Sequence, residues 1–148
     1  MPNNQIQIKT GKDILAKELA ALRGSVNWTH HASCVDIECS IDAYPFTAQA
    51  RNSAGELIGY VSAFSDGVFI TMIGELLVHP DYQRRGIGAA LLKRVALRYP
   101  GVSIQAHCPS DGLSFFVSQG YASPEQGVRV VSKNKTPVNE SVIAWASG

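Results

Sequence analysis

Six consecutive residues, Gln83-Arg84-Arg85-Gly86-Ile87-Gly88, set two glycines, two arginines and an amide side chain directly before a run with a helical apolar pattern. A helix starting there leaves about four backbone N–H groups unpaired and carries roughly half a positive charge at its head. Glycines let a ligand approach that backbone closely, and Arg84 and Arg85 add charge, so the chemistry favoured is binding of a phosphate or pyrophosphate. Eight residues upstream of Gln83, Glu75 stands as a lone carboxylate inside the long apolar run Val68 to Val78. A carboxylate in such surroundings is a candidate general base, and it is equally a candidate hydrogen-bonded or ion-paired strand residue. His79, at the end of the same run, is the alternative base, although its place before Pro80 also suits a structural role.

Two familiar phosphate-binding patterns do not fit the turn. A P-loop ends in Gly-Lys followed by Ser or Thr, whereas this turn continues Gly88-Ala89-Ala90. A Rossmann fingerprint needs a small residue where Leu91 stands, and an acid about twenty residues on, which is absent.

The surrounding elements read as follows. Gln5 to Lys9 alternates with period two and predicts a short strand. Lys12 to Gly24 places Ile14, Leu15, Leu19 and Leu22 on one helical face, with Gly24 as the stop. From Val26 to Pro45 both periods fit: Val35, Ile37, Cys39 and Ile41 alternate as in a strand, yet a helix is also compatible. Phe46 to Arg51 and Leu57 to Phe64 flank Asn52-Ser53-Ala54-Gly55 and predict a hairpin. Val68 to Val78 predicts a central strand, in which Gly74 suggests a bulge or a close backbone approach. Ile87, Leu91, Leu92, Val95 and Ala96 form the apolar face of the helix that follows, which Tyr99-Pro100-Gly101 ends. Val102 to Cys108 predicts a strand, Leu113 to Gly120 a short helix, and the segments Val128 to Val131 and Ser141 to Trp145 one or two more strands. The sum is one mixed α/β domain over residues 1–148, with a mostly antiparallel sheet of six to seven strands and about four helices.

Bulk properties narrow the function classes. A chain of 148 residues supports a core without disulfides or metals. A net charge of +1, with 45% hydrophobic and 17% charged residues, excludes the clustered basic excess of a nucleic-acid binder. Cys34, Cys39 and Cys108 match neither a zinc site nor a disulfide framework, and no apolar run reaches membrane-spanning length. These features lead to the expectation of a cytoplasmic protein with no membrane partner. An edge strand in the tail could pair two subunits into a homodimer. His30-His31 as a metal pair lacks acidic partners at suitable spacing. Trp28, Tyr44 and Phe46 could wall a pocket, or simply be core residues.

The hexapeptide fits the pattern Gln/Arg-x-x-Gly-x-Gly/Ala. Together with the strand ending Leu77-Val78-His79-Pro80, the amphipathic helix, and Phe115-Phe116-Val117-Ser118-Gln119-Gly120-Tyr121, it resembles the GNAT superfamily of N-acetyltransferases. The resemblance runs from about Phe46 to Tyr121, on the branch that includes plant serotonin N-acetyltransferases and bacterial proteins of unknown substrate. It implies that acetyl-CoA is the cosubstrate and that an amine, of a small molecule or a peptide, is the acceptor. It implies that Gln83, Arg84, Arg85, Gly86, Ile87, Gly88 and Ala89 hold the pyrophosphate, with Leu77, Val78 and Phe116 also against the cofactor. It implies Glu75 as base and the Val78 N–H as oxyanion donor. One departure stands out: the family's second helix usually reads Phe-Tyr, its tyrosine serving as acid for the CoA thiolate, and here the position is Phe116. Water, Ser114, Cys108 or Tyr121 could substitute, and the alternative function is a CoA-binding module without turnover.

Overall fold

The computed structural model describes residues 5–27 and 32–123, together with Val131 and Lys133. Five strands form one sheet in the order β1 (Gln7–Thr10), β2 (Phe46–Arg51), β3 (Leu57–Ser65), β4 (Thr71–Val78) and β5 (Ile104–Gln105). Neighbours pair antiparallel except β4 and β5, which are parallel. Four helices flank them: α1 (Ala16–Ser25), α2 (Cys34–Ala43), α3 (Ile87–Arg98) and α4 (Leu113–Ser118). The mixed α/β class and the helix number agree with expectation. The strand number is smaller among the described residues, and the tail segments Val128 to Val131 and Ser141 to Trp145 fall almost wholly outside them.

Within the ambiguous segment, Cys34–Ala43 is helical. Ser33 caps α2 by accepting a hydrogen bond from the Asp36 N–H at 3.1 Å, and Ile37 and Ile41, one turn apart, are buried. Helix α1 starts later than expected, at Ala16, where the Glu18 carboxylate accepts from the Leu15 N–H, and Gly24 lies inside it. The predicted strand from Val68 is shortened because Asp66 makes a turn. Its Oδ1 accepts from the N–H groups of Val68, Phe69 and Ile70, so the ladder begins at Thr71.

The sheet carries a separate core on each face. Ala48, Ala50, Val61, Leu76 and Val78 pack with Ile87, Leu91 and Val95 of α3 and Phe115 and Phe116 of α4. Tyr60 and Leu77 pack on the other face with Leu19 and Leu22 of α1 and Ile37 and Ile41 of α2. At Gly59 a Cβ would stand 3.1 Å from Ile87 Cγ2 and 3.2 Å from Leu91 Cδ1, so this glycine sets how closely α3 approaches the sheet.

Candidate active site

Strand β4 positions two of the candidates. Ser62 lies opposite Glu75 and Ala63 opposite Ile73, so Gly74 is an extra residue, a β-bulge. The bulge breaks the alternation. Ile73 faces the α3 core while Glu75 and Leu77 face α1 and α2. Gly74 itself is covered by Tyr44, the residue that ends α2: a Cβ there would fall inside the tyrosine hydroxyl end of the ring.

Glu75 is 5% exposed. Arg23 of α1 places its Nε 3.8 Å from Glu75 Oε2, an ion-pair distance too long for a hydrogen bond, and that oxygen accepts none among the described residues. The Glu75 N–H donates to Ser62 Oγ at 3.0 Å. Burial raises the carboxyl's pKa above the ordinary glutamate value, and the Arg23 charge acts against that rise. Burial, and then the Glu75 charge, raise Tyr44 and Tyr60 on the same face, with the Ser62 hydroxyl partly offsetting this in both. The result is a buried polar cluster of Arg23, Tyr44, Tyr60, Ser62 and Glu75 beneath two helices.

The far end of β4 opens an edge. The His79 N–H donates to Ile58 C=O at 2.8 Å, so the 58–79 pair is hydrogen-bonded and the Gly59–Val78 pair is not. By alternation, the amides and carbonyls of Leu76 and Val78 point away from β3. On that side β5 pairs only with Thr71 and Met72, leaving Ile73 to Val78 without a partner strand among the described residues. Leu77 turns its backbone into the β3 ladder and its side chain into the α1–α2 core, whereas the backbone of Leu76 points to the side away from β3. The Val78 carbonyl accepts from Gln83 Nε2 at 3.0 Å, which ties the strand end to the glycine turn.

The turn has the backbone shape of an anion cradle. Arg84 (φ 64°) and Gly86 (φ 80°) both adopt the left-handed conformation, uncommon for an arginine. The first bond of α3 runs from Ala90 N–H to Gly86 C=O, so the amides of Arg84 through Ala89 donate to nothing among the described residues. Gly86 is exposed with no atom near its missing Cβ, Arg84 and Arg85 are exposed, and Arg85 lies 5.2 Å above the Tyr82 ring. Free amides, two cations and a helix head suit a diphosphate.

From Ala89 a cleft of about 1470 Å³ runs between α3 and the segment from Val102 to Ser123, with Leu92, Cys108, Phe116 and Tyr121 in its wall. Phe116 is 2% exposed and meets Phe115 and Tyr121 edge-on, with centroids 5.2 and 5.3 Å away. Glu75 lies on the opposite face of the sheet, so the two surfaces meet only at the open edge of β4.

The remaining candidates separate clearly. His79 caps the turn at Pro80–Tyr82 by accepting from the Asp81 N–H through Nδ1. The Cys108 thiol is raised by burial and by Asp111, which disfavours a thiolate nucleophile there. Phe46 is core, packed edge-on to Tyr99. Trp28, His30 and His31 lie outside the described residues, among which no group of three metal-ligating side chains occurs. Sequence reasoning did not bring out the Arg23–Glu75 contact, which a spacing of 52 residues hides.

A mixed sheet parted between β4 and β5, with a helix beginning on free amides beside the opening, is the architecture of a GNAT-type acetyltransferase. The acetyltransferase (GNAT) family model matches residues 16–108, and the chain belongs to that family. It is 27% identical over 129 residues to ycf52 of Pyropia yezoensis, described as an uncharacterized N-acetyltransferase, covering 84% of this chain and 74% of that one. It is 31% identical over 83 residues to the chloroplastic serotonin N-acetyltransferase 2 of Oryza sativa subsp. japonica, covering 54% of this chain and 42% of that one. The fold is shared with aminoglycoside N-acetyltransferase AAC(6')-Iy, solved in complex with CoA: TM-score 0.63, 16% identity, 90% of this chain and 96% of that one. No helix among the described residues is long and apolar enough to cross a membrane.

Proposed function

We propose that the chain, taken as one domain over residues 1–148, moves an acetyl group from acetyl-CoA to a primary amine by direct attack within a ternary complex. The observation that carries this reading is the row of amides from Arg84 to Ala89 at the head of α3 that donate to nothing among the described residues, next to a strand edge that has no partner strand among them. Those amides and the charges of Arg84 and Arg85 hold the diphosphate, with Gln83 bracing the turn against Val78. The backbone groups of Leu76, which point away from β3, pair with the amides of the cofactor arm. The Val78 N–H then donates to the thioester oxygen as it gains charge.

The acceptor enters from the face of α1 and α2. An alkyl amine with a pKa near ~10.4 is about one part in a thousand neutral at pH 7.4, a deficit of about 4 kcal/mol. Glu75 takes the ammonium proton, directly or through water, and its raised pKa brings it closer to the working pH. The amine nitrogen bonds to the carbonyl carbon, the carbon–sulfur bond breaks, the sulfur leaves as thiolate, and the second proton shed by the nitrogen passes to that thiolate or to water. A thiol pKa near ~8.5 makes that departure only mildly unfavourable, which suits a site with Phe116 in place of a tyrosine acid.

The reading is tested by acetyl transfer to a panel of aliphatic and aromatic amines, with thiol release followed across pH. Glu75→Gln should lower the rate by about 10²-fold near neutral pH and remove the acid limb of the profile. An unchanged profile excludes Glu75 as base. Phe116 favours one second reading, an acyl-CoA-binding module, marked by binding without thiol release for every amine. Three free thiols suit a reducing compartment such as the cytoplasm for either reading.

A further inference from the structure

A buried carboxylate serves as a base only while it is ionised, and burial opposes ionisation. Glu75 is 5% exposed, and one of its oxygens accepts no hydrogen bond among the described residues. The groups facing it come from three elements: Arg23 from the last turn of α1, Tyr44 from the end of α2, and Tyr60 and Ser62 from β3. Tyr44 and Tyr60 are themselves raised by burial and by the Glu75 charge, so both stay neutral and add no charge beside it. Arg23, with its side chain 13% exposed, is the group among these that carries one.

We propose that Arg23 is a positioning residue that keeps the Glu75 carboxylate ionised and aimed past the Gly74 bulge toward the open edge of β4. The inference rests on the reading of Glu75 as base. The geometry supports it in two ways. The guanidinium approaches Oε2 at 3.8 Å, close enough for charge to act in a site shielded from solvent, yet without the hydrogen bond that would occupy the oxygen's lone pairs. The Glu75 N–H is fixed separately by Ser62, so the backbone holds its place while the arginine acts on the charge.

The test follows the Glu75 carboxyl itself. Protein labelled with ¹³C at the glutamate carboxyl is titrated by NMR in the wild type, Arg23→Met, Arg23→Gln and Arg23→Lys, with Glu75→Gln assigning the signal. Removing the charge should move the Glu75 midpoint upward, leaving about tenfold less carboxylate at pH values below the midpoint. Arg23→Lys should restore most of it. In acetyl transfer to the best amine of a panel of phenethylamine, putrescine and a free-amino-terminal peptide, the acid limb should shift the same way, with CoA affinity unchanged. A merely structural arginine would lower stability and activity alike at every pH. Unfolding of Arg23→Met leaves Arg23→Gln, which keeps a polar head, to be read by the same midpoint. A midpoint unmoved in a folded charge-removal variant overturns the proposal. If instead Glu75→Gln keeps the wild-type pH profile, the base reading fails, whatever the carboxyl signal does.

Discussion

The contact between Gly74 and Tyr44 offers a sharp test of how the fold aims Glu75. Gly74→Ala puts a methyl group where the outer edge of the Tyr44 ring now lies, so the ring must swing out from the strand. That movement forfeits its packing on Phe64, at a centroid distance of 6.1 Å. Such a pair contributes ~0.5–1.5 kcal/mol. A cost of roughly 1 kcal/mol corresponds to a fall in Tm of roughly 3 °C for a domain of this size. In a Tyr44→Ala background the methyl group no longer meets the ring, and the change should cost less, since alanine loses less chain entropy than glycine. Urea denaturation of the four proteins of this double-mutant cycle should therefore give a coupling of about 1 kcal/mol. Equal costs of Gly74→Ala in both backgrounds would falsify the claim that the tyrosine occupies the bulge.

Two further outcomes are expected. Phe116→Tyr should cost about 1–3 kcal/mol of stability, because the new hydroxyl enters an apolar site between Phe115 and Tyr121. It should change kcat by no more than about twofold, because thiolate departure is already only mildly unfavourable; a rise of tenfold in a stopped assay of CoA release would show that the missing acid limits the reaction. Asp66 is held below its ordinary value chiefly by the backbone N–H groups of Val68, Ile70 and Phe69. Its contribution is complete above the unfolded value of 3.8 and is lost as pH falls through the lowered folded value, so Asp66→Ala should lower Tm at pH 7 and converge on the wild type in acid. A Tm difference independent of pH would remove the carboxylate from that turn.

Local chemistry carried most of what the residue order made legible. The Asn52–Gly55 turn was readable because Asn52 Oδ1 accepts from the N–H groups of Ala54 and Glu56, a bond set by its own side chain. Helix α3 and its glycine start were readable because the apolar spacing and the turn residues agree. The segment from Val26 to Pro45 was not, since Ile37 and Ile41 suit a helical spacing and, with Val35 and Cys39, a strand alternation as well. Ser33 with Asp36 three residues on is the capping signal that distinguishes them. Gly74 announced an irregularity, but the direction in which Glu75 points depends on Tyr44, thirty places earlier in the chain. The Arg23–Glu75 contact is likewise tertiary. The parting of β4 from β5 is a property of the sheet, and no residue in Val102 to Cys108 signals that only Ile104 and Gln105 will pair.

The diphosphate cradle is the claim on which the others depend. A titration of ¹⁵N-labelled protein with CoA, run beside calorimetry, reads it most directly. Saturable heat, with the largest amide shifts at Arg84 through Ala89, is the result this structure leads us to expect. Absence of heat, or shifts that bypass that turn, would contradict it.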